Sequence, residues 1–376
     1  MKNKILLIAV TLLLCSQTAF AQTPWTGAGT AQDPFQIYTV EDLEKITEHQ
    51  LDDEYRFDTV IALSNRHISY RYCHFALMND IETPLTEKLC NTFQGYIHGK
   101  GHILTLDIYN GVYTQNTLID ILYGNVDSLV LVGNALNFYT LFYQITTTGK
   151  ISHITCNLDI IPGAHSIVAS RCYIFCYHND GIIEYCVNNS GLTTNSNQIT
   201  YLGVFSFANN GIIDNCINTA NIISNVTALA YVHLFSEKNY GTITNCVNHG
   251  DIIINGIHWS SVSCFAYNNS NLIFNCINTG DIHLKRGSHI GFITSLNGGT
   301  VSNCLNTGNI MGGANYTGGI VAKNGNKIEN CLNTGYIAGD SLAGGIFAEI
   351  ERYRSVNFRN NLDISKTSKH ALLGKR

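Results

Sequence analysis

From residue 151 onward the chain alternates short apolar runs with glycine and asparagine, and one six-residue pattern returns at nearly constant spacing. The later copies begin with Gly or Asn, place an apolar residue third, and end in a cysteine that usually follows Asn. The cysteines that end the copies are Cys156, Cys186, Cys216, Cys246, Cys276, Cys304 and Cys331. Their spacings of 30, 30, 30, 30, 28 and 27 residues identify a repeat protein.

The residue types inside each copy predict short strands. Helical repeats need apolar residues at a spacing of about 3.6 and strong helix formers, whereas these copies hold Ile, Val, Phe and Thr separated by Asn and Gly. Units of this kind stack in register, so each strand pairs in parallel with its copy one coil later, about 4.8 Å away. We therefore predict an all-β chain folded as a single-stranded parallel β-helix, a solenoid whose core is lined by ladders of Cys and Ile.

A left-handed corner is predicted at the Asn that precedes the cysteine. Ile213 and Cys216 are three residues apart and would face opposite sides of an unbroken strand, so both point inward only if the chain bends at Asn215. Asn accepts positive φ at low cost, and its amide can bond to the Asn stacked above it. The predicted corner residues are Asn215, Asn245, Asn275, Asn303 and Asn330.

The same register predicts both ends of the solenoid. Leu106 and Leu131 are expected at the cysteine position of earlier coils and Phe358 at that of the last one, which gives about ten coils. The open first coil needs a cover, because its core would otherwise face water. Residues 40–49, with an acidic first turn, predict a short amphipathic capping helix at that end.

The N-terminus has the pattern of a secretory signal peptide, since two lysines precede the apolar run 5–14 and residues 19–21 read Ala-Phe-Ala. We expect export through the Sec pathway, with the periplasm, the outer cell surface and the extracellular space as alternatives. No later segment approaches the about 20 apolar residues of a transmembrane helix. The mature chain would carry 20 basic and 27 acidic residues, which argues against a nucleic-acid partner. The predicted organisation is a signal peptide at 1–21, an N-terminal leader and helical cap at 22–60, a parallel β-helix at 61–364 and a C-terminal tail at 365–376.

The copies resemble GLUG-motif repeats, which occur in secreted and surface proteins of gut bacteria such as Bacteroides. The copy at 318–335, Gly-Gly-Ile-Val-Ala-Lys-Asn-Gly-Asn-Lys-Ile-Glu-Asn-Cys-Leu-Asn-Thr-Gly, is the most similar, and 27–43 is similar to the leader of many such chains. Residues 75–81 and 93–103 look like the first two coils, although His98 stands where relatives tend to carry Asp. The resemblance implies a right-handed β-helix with an adhesin-like or glycan-facing role, and it brings no catalytic residues.

The cysteines are predicted to fill the core as reduced thiols. Seven share one ladder position, where side chains project in parallel and a bridge to the next coil would need strained geometry. A line of sulfurs also differs from the tetrahedron that zinc requires, and Cys176 falls where later coils carry Ser or Ala. The sequence leaves open whether the other five form disulfides; these are Cys73, Cys90, Cys172, Cys176 and Cys264.

No catalytic residue and no cofactor are predicted. The fourteen histidines include no His-Glu-x-x-His pair and fall at different places in their coils, so no catalytic triad can be assembled from them. Glu184 and Asp214 stack two residues before their cysteines, and Asp251 and Asp281 form a second adjacent pair. Each pair is interpreted as solvated surface, with Asp251 and Asp281 as weak candidates for a calcium site.

Twenty tyrosines, fourteen of them at or before Tyr201, predict an aromatic face on the early coils. Exposed rings stack on sugars while Asn and Asp bind hydroxyl groups, although no individual ligand-binding residue can be assigned. The leading hypothesis is a non-enzymatic, adhesin-like protein that binds a polysaccharide or a cell-surface glycoconjugate. A β-helix polysaccharide lyase or glycoside hydrolase is the main alternative, and a structural spacer is the second. The sequence does not determine the oligomeric state.

Overall fold

The repeated apolar ladders fold into a β-solenoid of about nine turns, built from parallel sheets as predicted. The computed structural model describes residues 24–50, 72–109, 117–162, 169–195, 197–350, 357–364 and 373–375. The predicted signal peptide and most of the predicted tail lie outside the described residues. Within them the chain forms 44 strands and one α-helix.

Each complete coil contributes strands to three faces, which we call sheets 1, 2 and 3. Sheet 1 holds twelve strands: Phe35–Ile37, His74–Leu77, Tyr96–His98, Asn125–Asp127, Lys150–Ser152, Ile182–Glu184, Ile212–Asp214, Thr242–Thr244, Leu272–Phe274, Thr300–Ser302, Lys327–Glu329 and Asn357–Arg359. Sheet 2 holds eleven: Cys90–Phe93, Ile119–Leu122, Phe142–Ile145, Cys176–Asn179, Ser206–Asn209, Ser236–Asn239, Ala266–Asn269, Thr294–Asn297, Val321–Asn324, Phe347–Ile350 and Leu373–Lys375.

Sheet 3 is the broadest face, because most coils place two or three short strands in it. Its strands are Ile81–Leu85, Ile103–Tyr109, Val130–Phe138, Thr155–Pro162, Ala169–Tyr173, Val187–Asn188, Leu192–Thr194, Ile199–Gly203, Ile217–Asn218, Ile222–Ser224, Ala230–His233, Val247–Asn248, Ile252–Ile254, Ser260–Ser263, Ile277–Asn278, Ile282–Gly291, Leu305–Asn306, Ile310–Gly318, Leu332–Asn333, Leu342–Gly344 and Leu362–Asp363. The successive coils therefore stack with every ladder running along the solenoid axis.

The register follows the cysteine spacing in the regular coils and departs from our prediction at both ends. Ile183 pairs with Ile213 one coil later, thirty positions on, as predicted. Cys156 pairs with Asn188, two residues beyond Cys186, so placing Cys156 in the cysteine ladder was wrong. Leu131 pairs with Cys156 and Leu104 pairs with Leu131, so placing Leu131 and Leu106 at the cysteine position was also wrong. Phe358 pairs with Ile328, so it lies three residues before the cysteine position at which it was predicted. The irregular lengths of the end coils cause these errors.

The interior is a continuous apolar core. The cysteine ladder has six members, and they and Cys156 beside it are all buried, with exposed fractions of 2% or less; the six are Cys186, Cys216, Cys246, Cys276, Cys304 and Cys331. A second interior ladder consists of Phe175, Phe205, Phe235 and Phe265, whose successive ring centroids lie 5.0, 4.5 and 4.7 Å apart. Stacked aromatic pairs of this kind add to the stability gained from burial itself.

All twelve cysteines from Cys73 to Cys331 are free thiols. Burial raises the pKa of the Cys186, Cys246 and Cys304 thiols well above its usual value. The Cys246 thiol donates to the carbonyl oxygen of Thr244 at 3.0 Å, within its own coil. The ladder is therefore a column of buried free thiols.

The residue before each ladder cysteine adopts the left-handed conformation. The five asparagines at this position have φ between 52° and 54°, and Tyr185 in an earlier coil has φ of 52°. Asn275 Nδ2 donates to Asn245 Oδ1 at 2.7 Å, which joins consecutive corners along the axis. The bend lets both Ile213 and Cys216 face the core.

Helix α1, Val40–Gln50, covers the first coil. It begins with a reciprocal cap in which Asp42 N–H donates to Thr39 Oγ1 at 3.3 Å and Thr39 N–H donates to Asp42 Oδ2 at 3.2 Å. Val40, Leu43 and Ile46 are buried in the same core cluster as the first strands. The predicted capping helix is confirmed.

Candidate functional site

The strongest candidate site is a group of aromatic side chains on the outside of the solenoid, where sheets 3 and 2 meet. We call it the aromatic patch; its members are Tyr139, Tyr143, Tyr173, Tyr177, Tyr201, Phe207, Tyr231 and Tyr267. Cys172 and Ile174 point into the core, so Tyr173 between them points outward. Tyr139, Tyr173 and Tyr177 form a cluster separate from the core, with Tyr143, Tyr201 and Phe207 packed against it.

Stacking along the axis orders the rings in two rows. In the row on sheet 2, the centroids of Tyr143 and Tyr177 lie 5.5 Å apart, and those of Tyr177 and Phe207 lie 4.6 Å apart at an interplanar angle of 6°. In the row on sheet 3, Tyr201 and Tyr231 stack at 4.8 Å and 7°. Because the coils repeat at strand spacing, neighbouring rings are held nearly parallel; Tyr143, Phe207, Tyr201 and Tyr231 are partly exposed, whereas Tyr177 is buried.

A tyrosine and a carboxylate connect the two rows. Tyr173 donates its hydroxyl to Glu237 Oε2 at 2.6 Å, across a separation of 64 residues. Its ring lies over Gly203, where a Cβ atom would come within 2.5 Å of the ring. Burial raises the pKa of Glu237, while the hydrogen bond from Tyr173 lowers it. Gly203 therefore provides the space through which Tyr173 reaches the carboxylate two coils away.

Two cations border the patch. The Arg171 guanidinium carbon lies 5.0 Å from the Tyr201 ring centroid, and Lys238 Nζ lies 4.8 Å from the Phe207 ring centroid. Both distances fall within the range of cation–π attraction. The patch thus combines flat apolar faces with hydroxyl, carboxylate and cationic groups.

A buried histidine lies at the inner side of the patch. His233 Nδ1 is 2.9 Å from Ser263 Oγ, and its ring centroid is 4.9 Å from that of Tyr267. Burial lowers the pKa of His233 to about 3, so the imidazole is neutral at neutral pH. His233 Nε2 is buried and has no hydrogen-bond partner.

No protein-family model and no curated protein matches the chain. A crystal structure of a "putative immunoglobulin A1 protease" from Bacteroides ovatus is similar at 13% identity and a TM-score of 0.28, over 91% of this chain and 79% of that one. A TM-score of this size carries no argument about function. The parallel solenoid is evident from the structure itself, and the resemblance to GLUG-motif repeats stays a prediction.

The weak calcium candidates Asp251 and Asp281 lie in a ladder that caps backbone groups. Asp281 N–H donates to Asp251 Oδ1 at 2.8 Å, and Asn309 N–H donates to Asp281 Oδ1 at 2.7 Å. These carboxylates thus accept hydrogen bonds from neighbouring coils. Among the described residues, no group of three or more His, Cys, Asp or Glu side chains is arranged to hold a metal ion.

The other acidic pair is also occupied by contacts within the protein. Glu184 pairs with Asp214 in sheet 1, as the repeat indicated. Lys150 Nζ lies 2.7 Å from Glu184 Oε1, and the Thr244 hydroxyl donates to Asp214 Oδ1 at 2.5 Å. The pair thus belongs to a polar network on the outer face of sheet 1.

A histidine chain that the sequence did not indicate lies on the early coils of sheet 1. His98 Nδ1 is 2.8 Å from Asp127 Oδ2, and His98 Nε2 is 2.9 Å from His74 Nδ1. Tyr96 stacks on His74 with centroids 4.1 Å apart. Among the described residues, the side-chain hydrogen bonds of His74 and His98 join them to each other and to Asp127 and reach no serine or cysteine, so the histidine chain is not a complete catalytic triad.

Other surface features are less suited to a ligand. An open depression of about 430 Å³ on sheet 3 is lined by Asn157, Asp159, Ile161, Asn189 and Thr193, among others, and contains no aromatic ring. No helix in the described part of the chain is long and apolar enough to cross a membrane. The aromatic patch therefore remains the best candidate.

Proposed function

We propose that the chain is an exported, adhesin-like repeat protein of the GLUG type that binds glycans through the aromatic patch. The observation that carries this proposal is the pair of parallel, partly exposed rings of Tyr201 and Tyr231, next to hydrogen-bonding groups. Sugar rings present flat C–H faces that pack on aromatic rings, while their hydroxyl groups bind polar side chains. Strand spacing places rings on three consecutive coils in one row and on two in the other, which suits contact with neighbouring sugars of a polysaccharide.

A glycan array with the purified mature protein tests this proposal, followed by calorimetry on each binder. We expect Tyr201→Ala and Tyr231→Ala each to weaken binding about threefold to tenfold, because each removes one stacking face. Tyr240→Ala is the matched control, since Tyr240 is 50% exposed and lies outside the patch. Equal losses from Tyr201→Ala and Tyr240→Ala would contradict the assignment of the patch.

The same experiments separate the rival functions. The enzyme alternative gains support from Glu237, whose raised pKa suits a proton donor. Release of unsaturated or reducing ends from a bound polysaccharide would establish that alternative, whereas no binding across the array would favour the spacer. Export has its own test, because N-terminal sequencing of protein from cell fractions should find Gln22 first.

A further inference from the structure

We infer that Arg171 and Lys238 adapt the aromatic patch to sugars that carry a carboxylate. This inference rests on the proposed glycan function and names the ligand class. Its starting point is the position of Arg171 on strand Ala169–Tyr173, facing outward beside Tyr201 of the next coil.

Arg171 is a partly buried cation that forms none of the ion pairs found among the described residues. Its Nε is buried and has no hydrogen-bond partner. Burial lowers the pKa of the Arg171 guanidinium, but the neighbouring tyrosines, Tyr177 foremost, raise that pKa above its ordinary value. A guanidinium presents a planar fork of donors that matches a carboxylate in two hydrogen bonds, whereas among the described residues Arg171 bonds to the Tyr201 side chain and pairs with no carboxylate.

The charges around the patch favour an anion. Lys238 lies on the opposite row, over Phe207. Glu237 is the carboxylate between the two cations, and it accepts the Tyr173 hydroxyl. Even with Glu237 ionised, the two cations outnumber this one carboxylate. The patch is therefore locally cationic on a chain whose formal net charge is −5.

A uronic acid meets both requirements, because its ring offers a face for stacking and its carboxylate fits the guanidinium fork. A neutral sugar would use the rings and leave Arg171 unpaired. A small carboxylate without a ring would lose the stacking contact. The aromatic rings and the Arg171 guanidinium together therefore favour an acidic sugar within a polysaccharide.

The test compares acidic oligosaccharides, oligogalacturonates for example, with their methyl esters, which keep the shape and remove the charge. We expect the wild-type protein to bind the acid about tenfold or more tightly than the ester. Arg171→Met should remove that preference and leave binding of the ester unchanged, and Arg171→Lys should retain part of it. Lys238→Met should reduce the preference less, since an ammonium group acts as a point charge.

Arg286→Met is the matched control, because the Arg286 guanidinium carbon lies 5.7 Å from the Trp259 ring centroid and outside the patch. Equal binding of acid and ester by the wild type would overturn this inference and leave the proposed function standing. Equal losses in the Arg171 and Arg286 variants would also overturn it. Absence of binding to every glycan, acidic or neutral, would instead contradict the proposed function. Thermal unfolding of each variant checks that the fold is retained.

Discussion

At the scale of single residues, His233 links the stability of the solenoid to pH. Its pKa falls from about 6.5 in an unfolded chain to about 3 in the fold, because burial disfavours the imidazolium. Between these values the unfolded state binds more protons than the folded state, so stability is lost as the pH falls. The loss approaches about 1.4 kcal/mol per pH unit well below pH 6.5.

His233→Asn removes this titration and keeps a side chain that can bond to Ser263. In urea titrations between pH 6 and 4, we expect the free energy of unfolding to fall less steeply in the variant, by about 1 kcal/mol per pH unit. Carboxylates contribute equally to the pH dependence of unfolding in the wild type and in the variant. The difference between the two slopes therefore measures the contribution of His233. Identical slopes would mean that the imidazole is protonated in the folded state.

The residues of the aromatic patch could be predicted only in part. The count of tyrosines indicated an aromatic face, but the alternation of inward and outward positions fails where sheet 3 turns into sheet 2. Ile174, Phe175 and Cys176 are three consecutive buried residues, so period-two reasoning cannot place Tyr177. The contact from Tyr173 to Glu237 spans two coils and depends on the absence of a side chain at Gly203.

At the scale of the strands and corners, the repeat predicted most of the register because the coil length is constant over the middle of the chain. The histidine chain lies where this regularity is missing: His74 pairs with Tyr96 after 22 residues, and His98 pairs with Asp127 after 29. The same irregularity produced the register errors, which are those at Leu106, Leu131, Cys156 and Phe358. Register can thus be predicted where neighbouring copies have the same length, and only there.

The corner at Asn275 tests how much the left-handed conformation contributes to each coil. Its φ is 54°, and its side chain is exposed, so a substitution acts on the backbone rather than on core packing. We expect Asn275→Val to lower the free energy of unfolding by about 1–2 kcal/mol or more, since a branched Cβ is strained at this φ. Asn275→Gly, the matched control, should cost a few tenths of a kcal/mol through chain entropy and the lost amide bond to Asn245. Similar urea midpoints for the two variants would contradict the corner assignment.

At the scale of the whole molecule, each coil contacts chiefly its neighbours, so the solenoid behaves as a nearly one-dimensional stack. Helix α1 ends this stack on one side, and Leu43, at 1% exposure, anchors it to the core of the first coils. Leu43→Asp places an unpaired carboxylate in that interface and should undock the helix. The consequence should remain local, because the middle coils keep all of their contacts.

Hydrogen exchange followed by mass spectrometry measures whether the loss of structure stays close to the helix. In Leu43→Asp we expect amide protection to fall in strands Phe35–Ile37, His74–Leu77 and Cys90–Phe93, while Thr242–Thr244 keeps its wild-type protection. Glu44→Asp introduces the same residue one position later on the exposed side of the helix, and it should leave all four strands unchanged. A uniform loss of protection along the chain would show that the solenoid unfolds as one cooperative unit. Such cooperativity would mean that coupling between coils exceeds the free energy gained within each coil, so that opening one end commits the whole stack to unfold.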